Sequence, residues 1–157
     1  MNPINTSDNL PTIFLLPGEL YIAEKPSIIK TILGSCVSIC LYSISSGAGA
    51  MCHCLLPYAP LKNLDQPYKY LDRAFTHMVL KMNEIKIYND TITSKIFGGA
   101  NMFQDFSPVK LSIGSQNIAA ARNLLYKYHI PIEGEIVGGN SGIKIFFHTG
   151  TGEVYLK

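Results

Sequence analysis

Val37-Ser38-Ile39-Cys40-Leu41-Tyr42, then Ser43-Ile44-Ser45-Ser46-Gly47, then Ala48-Gly49-Ala50-Met51-Cys52-His53-Cys54-Leu55-Leu56, is the stretch on which the fold turns. Val37, Ile39 and Leu41 alternate with Ser38, Cys40 and Tyr42, the period of two of a half-buried strand. Ser43 to Gly47 is a turn signal, and Ala48 to Leu56 reads as the returning strand, stopped by Pro57. A strand that comes straight back as a hairpin argues for α+β organisation over a doubly wound parallel sheet.

The rest of the chain extends that pattern. Ile28 to Ile32 is β-rich and runs into Leu33-Gly34-Ser35-Cys36; Tyr58 to Pro67 is a proline-bearing loop. Tyr68 to Ile87 is predicted as a helix, because Leu71, Ala74, Phe75, Met78, Val79, Met82 and Ile85 recur at spacings of three and four. A short strand, Thr91 to Phe97, stops at Gly98-Gly99. Ser115 is the expected N-cap of a second helix, Gln116 to Tyr128. Pro131 to Val137, Ile143 to His148 and Glu153 to Leu156 read as strands, for a total of about seven strands and two helices. Residues 1–12 are expected to be a loose tail and residues 13–157 a single domain.

Composition narrows the function classes. The 157 residues are 47% hydrophobic and 15% charged, too apolar for a disordered chain and enough for one core without a metal or disulfide staple. Thirteen basic against eleven acidic residues leave a net charge of +2. With no Lys/Arg cluster longer than two, neither nucleic-acid binding nor a polybasic membrane segment is expected. No run approaches the ~18 apolar residues of a membrane span, and the polar N-terminus lacks signal-peptide features. The cysteines Cys36, Cys40, Cys52 and Cys54 are therefore read as cytosolic thiols.

The hairpin also brings together candidate chemistry. With a four-residue loop Ser43–Ser46, Cys40 faces Gly49, Ser38 faces Met51 and Cys36 faces His53 on one side of the pair. A turn centred two residues further on would set Cys40 opposite His53 instead. A thiol beside an imidazole is the arrangement of a cysteine nucleophile with its general base, since the thiolate is the attacking species. Gly34 and Ser35 permit a tight turn that exposes Cys36 and aims backbone N–H groups at a developing oxyanion. Spacing alone is equally that of a buried Cys packed on a buried His.

Other features have plain structural readings. On a strand, Cys52 and Cys54 point opposite to His53, so the three cannot share a metal. Gly98-Gly99-Ala100 and Gly138-Gly139-Asn140-Ser141-Gly142 match no phosphate-loop pattern and read as turns. His77, His129, His148 and the Met78/Met82 pair read as structural, and Asp72 as a residue that orients a helix or is solvated.

Thr31-Ile32-Leu33-Gly34-Ser35-Cys36-Val37, Ala50-Met51-Cys52-His53-Cys54-Leu55-Leu56-Pro57, Lys95-Ile96-Phe97-Gly98-Gly99-Ala100, Ile113-Gly114 with Asn117, and Val137-Gly138-Gly139 together resemble the CheD family, the chemoreceptor glutamine deamidases of bacterial chemotaxis. The likeness runs from about residue 18 to the C-terminus. It implies sandwich-like sheets with flanking helices, similar to toxins that deamidate glutamine. It also implies hydrolysis of glutamine side chains to glutamate on methyl-accepting chemotaxis receptors in the cytoplasm, with no metal or organic cofactor. Residue by residue, it implies Cys36 as nucleophile, His53 as base and acid, Thr31 as the residue that orients the imidazole, and Gly98 and Gly99 beside Gly34 and Ser35 at the cleft. An adaptor role is the alternative it allows, in which the chain binds receptors or a CheC-type phosphatase with little catalysis. Ile136 and Ile143 stand where that family usually has an acidic and a basic residue.

Overall fold

Two β-sheets and a pair of helices stack in three layers. The structure is a computed structural model that describes residues 9–62, 65–103 and 111–157. One sheet holds, in spatial order, β1 (Thr12–Phe14), β3 (Ile28–Leu33), β8 (Ile143–His148) and β9 (Val154–Leu156). The other holds β2 (Leu20–Ala23), β5 (Ala48–Cys52), β4 (Val37–Ser43), β6 (Thr93–Gly98) and β7 (Ile132–Val137). Pairing is antiparallel except between β1 and β3 and between β6 and β7. Helices α1 (Leu71–Glu84) and α2 (Ile113–Lys127) pack on the five-stranded sheet. The chain thus builds the α+β sandwich with flanking helices that its sequence led us to expect.

Strand β4 departs from the half-buried reading, because all seven of its residues are buried. Its alternation separates two cores instead of a core from solvent. Val37, Ile39 and Leu41 face the helices, with Ala48, Ala50, Cys52, Phe75 and Met78. Cys40 and Tyr42 face the other sheet, with Ile29, Met51 and Phe147. Tyr42 is accommodated there because its hydroxyl donates to Glu133 Oε2 at 2.7 Å.

The helices follow their periodicity with shifted ends. In α1, Leu71, Ala74, Phe75, Met78, Val79 and Met82 are buried, each larger side chain contributing about 1.5–3 kcal/mol. Asp72 lies in its first turn, where a carboxylate suits the helix dipole, and its Oδ1 accepts from the Ala59 amide at 3.0 Å. Helix α2 begins a turn earlier than expected. Its N-cap is Ser112, whose Oγ accepts from the Ser115 amide at 3.1 Å. Gly114 makes the earlier start possible, since a Cβ there would run into the Gly99 and Ala100 carbonyls.

Strands β1 and β2 lie where no strand was expected, in chain ahead of Ile28, which makes the total nine among the described residues. Strand β1 begins at Thr12, the last residue of the expected tail, and residues 1–8 of that tail lie outside the described residues.

The hairpin register falls between the two considered from sequence. Tyr42 pairs with Gly49 and Cys40 with Met51, and an isolated bridge continues the ladder at Val37 and Cys54. The loop is Ile44–Gly47, closed by the Gly47 amide on the Ser43 carbonyl at 2.9 Å with Gly47 at φ +76°. A glycine takes that left-handed conformation without strain, so the turn closes one residue later than a Ser43–Ser46 loop. This register puts Ser38 opposite His53 and leaves Cys36 diagonal to it. The slip is even, so every side chain keeps its face.

Candidate active site

Cys36 ends the Gly34-Ser35 bend that joins β3 to β4. It is the one cysteine of the four that is not buried, and all four are free thiols. The bend is held by its carbonyls. Ala100 N–H donates to Gly34 O at 2.9 Å, Asn117 Nδ2 to Ser35 O at 3.0 Å, and Gly99 N–H to Cys36 O at 2.8 Å. Gly98 is pressed so close to the Cys36 carbonyl that a Cβ would overlap it, and both Gly98 (φ +103°) and Gly99 (φ +71°) use conformations open to glycine. Of the cleft candidates, Gly98 and Gly99 thus brace the bend, with the Gly99 amide spent on it. Among the described residues, no backbone carbonyl takes the Ser35 or Cys36 N–H.

His53 follows β5 and is 3% exposed. Its backbone is pinned on both sides: the His53 amide donates to Glu19 O at 2.9 Å and the Gly18 amide to His53 O at 2.8 Å. Thr31, fully buried on β3, crosses between the sheets to meet it, with Oγ1 2.7 Å from His53 Nδ1. The same hydroxyl lies 2.8 Å from the Leu15 carbonyl and donates to it. A hydroxyl has one proton and a carbonyl can only accept, so Oγ1 must receive the hydrogen from Nδ1. The imidazole is thereby set as the Nδ1–H tautomer, and its Nε2 lone pair is left free to act as a base.

Burial lowers the His53 pKa below its ordinary value, against a smaller upward pull from Glu19 and the Leu15 carbonyl. Burial raises the Cys36 thiol, and its own backbone N–H offsets part of that. Burial thus favours the uncharged form of both groups. No hydrogen bond joins Cys36 Sγ to His53, in keeping with a diagonal placement where direct cross-strand pairing was expected. Apo catalytic pairs often close only on the substrate complex.

A cleft of roughly 250 Å³ opens beside the bend, lined by Ser35, Ala100, Met102, Phe103, Ile113 and Gly114. Its rim is apolar and exposed: Met102 is 44%, Phe103 92% and Ile113 42% accessible.

The remaining polar candidates are placed as scaffold. Cys52 and Cys54 join the helix-side core, away from His53, and burial holds the Cys40 and Cys54 thiols well above their ordinary range. His77 stacks on Tyr68, whose hydroxyl is 3.1 Å from its Nδ1. No three His, Cys, Asp or Glu side chains gather as a metal-ligand set among the described residues. Ile136 is exposed on β7, the edge of its sheet, and Ile143 packs partly into the inter-sheet core.

Two contributors have faint sequence signals. The Leu15 carbonyl is backbone, and no residue type marks it. Asn117, a position of the family resemblance with no role given to it, is fully buried on α2 between Gly114 and Ala121, both buried; a carboxamide at a core position of an amphipathic helix is the residue-level signal of a role.

The family model described as CheD chemotactic sensory transduction matches residues 55–157. The chain is 36% identical over 94% of its length to a protein of Geobacter sulfurreducens named probable chemoreceptor glutamine deamidase CheD 2, covering 90% of that protein. It is 36% identical over 99% of its length to a probable chemoreceptor glutamine deamidase CheD of Maridesulfovibrio salexigens, covering 95% of it. A protein of the same name from Clostridium tetani is 40% identical over 89% of the chain, with 87% of that protein covered.

Proposed function

The chain belongs to the CheD family, and from that membership we propose that it is a chemoreceptor glutamine deamidase in which Cys36 is the nucleophile. The observation that carries the reading is the Thr31 hydroxyl, 2.7 Å from His53 Nδ1 and bonded onward to Leu15. It prepares a neutral base in the tautomer needed to take a thiol proton. His53 Nε2 accepts the Cys36 proton as sulfur attacks the glutamine side-chain carbonyl carbon, and the Ser35 and Cys36 amides receive the oxyanion. The imidazolium returns the proton to the nitrogen as the C–N bond breaks, and ammonia leaves. His53 then takes a proton from water, which attacks the thioester; glutamate forms and the thiol is regenerated. The imidazolium gives that second proton to the departing sulfur, which restores the thiol and the neutral base.

The exposed apolar rim suits a substrate presented on a helix of a receptor's signalling region. Four free thiols suit a reducing cytoplasm, and no helix among the described residues is long and apolar enough to cross a membrane.

The test is to incubate the protein with receptor cytoplasmic fragments and read glutamine-to-glutamate conversion by peptide mass, beside Cys36→Ala. Conversion should vanish in Cys36→Ala with the fold unchanged. It should persist in Cys40→Ala, Cys52→Ala and Cys54→Ala, apart from losses of about 1–2 kcal/mol in stability for these buried thiols. Full conversion by Cys36→Ala would end the reading.

A further inference from the structure

We propose that Asn117 is a positioning residue for catalysis, which holds the peptide plane whose other end is the Cys36 N–H aimed at the oxyanion. The inference rests on the deamidase reading above and names a part of the same site.

The Asn117 carboxamide makes two bonds, both through Nδ2: one to Ser35 O and one to Leu55 O, each 3.0 Å. The first acceptor is one residue before the nucleophile, and the second is two residues after His53. Two carbonyl acceptors can be satisfied only by the NH₂ end, so chemistry dictates the orientation of the amide. One side chain therefore ties the bend that carries the thiol to the segment that carries the base.

The bond to Ser35 O has a further consequence. No peptide bond among the described residues is cis, and in a trans peptide the C=O and the next N–H point in opposite directions. With the Ser35 carbonyl turned onto α2, the Cys36 N–H must point away from α2. The same logic applies one peptide earlier, where Ala100 N–H holds Gly34 O at 2.9 Å and turns the Ser35 N–H outward. The Cys36 amide already acts on its own thiol, lowering a pKa that burial raises. An N–H that stabilises the sulfur's charge lies where it can also meet the neighbouring oxyanion.

Asn117 serves stability poorly. It is fully buried, and its Oδ1 has no hydrogen-bond partner among the described residues. A buried acceptor without a partner destabilises a fold, so the contribution of this residue lies in its two N–H bonds.

Two variants test this, with wild type run on receptor fragments and folding followed by circular dichroism. Asn117→Ala removes the clamp. Asn117→Asp keeps its shape, but turns a carboxylate on two carbonyls at high pH and can donate one bond when protonated. In both, kcat per folded molecule should fall about 10- to 100-fold with KM nearly unchanged, less than the ~10²–10³ lost with an oxyanion donor itself. Asn117→Asp should recover activity relative to wild type as pH is lowered. Alkylation of Cys36 by iodoacetamide, which needs no deamidase activity, should shift to higher pH in both variants.

If both variants fail to fold, wild type provides the measurement. A peptide with an aldehyde in place of the glutamine amide should add to Cys36 and shift the Cys36 amide proton downfield. Unchanged kcat and alkylation profiles in folded variants, or a Cys36 amide proton that does not move on adduct formation, would overturn the proposal. Wild type inert on every receptor fragment would instead overturn the deamidase reading and leave the alkylation result to judge Asn117.

Discussion

Thr31 Oγ1 lies 2.7 Å from His53 Nδ1 while its own proton is committed to the Leu15 carbonyl. Thr31→Val keeps the shape and removes the acceptor, so the buried Nδ1–H loses its partner and the tautomer is no longer set. We expect kcat to fall about 10- to 100-fold, within the range of general-base effects, and stability to fall by about 1–3 kcal/mol for the unpaired buried group. Thr31→Ser, which restores the hydroxyl, should recover most of both. Steady-state kinetics and denaturant unfolding of the two variants decide it; a Thr31→Val enzyme with wild-type kcat would show that the imidazole needs no such partner.

The pH response follows from burial of the same ring. His53 has a folded-state pKa below its ordinary 6.5, chiefly through desolvation. The imidazole thus stays neutral to lower pH than an unperturbed histidine, and with His53 as the proposed base the acid limb of kcat/KM should lie below 6.5. Stability moves in step. Between the folded pKa and about 6.5 the unfolded chain binds more protons, so unfolding becomes easier as pH falls through that window and levels off beneath it. Urea unfolding at about pH 7.5 and about pH 5.5 should show the loss in wild type and a smaller one in His53→Gln. Equal slopes in the two would place the titration elsewhere.

The legible parts of this molecule are those in which side-chain identity repeats. The period of α1 and the parity of β4 and β5 stand in the sequence, and parity alone separates Cys36, Cys40 and His53 from Cys52 and Cys54. Register was not legible, because Ser43 to Gly47 offers more than one four-residue loop and the choice is made by Gly47 at φ +76°. Strands of three and four residues, β1 and β2, have no period to read. The residues that flank them contribute backbone to the site: Leu15 O, just after β1, on Thr31 and Glu19 O, just before β2, on the His53 amide. The family resemblance named Thr31, whereas the residues alone offered no reason to join a β3 threonine to a histidine across two sheets.

Gly98 and Gly138 share left-handed φ values and differ in surroundings. A Cβ at Gly98 would overlap the Cys36 carbonyl, whereas nothing lies within 4 Å of one at Gly138. Gly138→Ala should cost only the conformational penalty of about 1–2 kcal/mol and leave kcat near wild type. Gly98→Ala should add displacement of the Cys36 bend and, with Cys36 as the proposed nucleophile, lower kcat about 100-fold, since small misplacements of reacting groups cost that much. Thermal melts and kinetics of both separate strain from misplacement; similar kcat losses in the two would mean that Gly98 does not brace Cys36.

The cleft also bears on partner binding. Met102, Phe103 and Ile113 are 44%, 92% and 42% exposed beside Ser35, and they offer a helix one apolar landing next to the thiol. With this rim as the proposed receptor site, a CheC-type phosphatase that docks a helix end on it is expected to compete with the receptor glutamine. Its effect should then be competitive: KM for the receptor fragment rises in proportion to the partner's concentration, and kcat is unchanged at saturating receptor. Initial rates over a grid of receptor and partner concentrations measure this directly. A fall in kcat at constant KM would put the partner on a separate surface and leave the rim to the receptor alone.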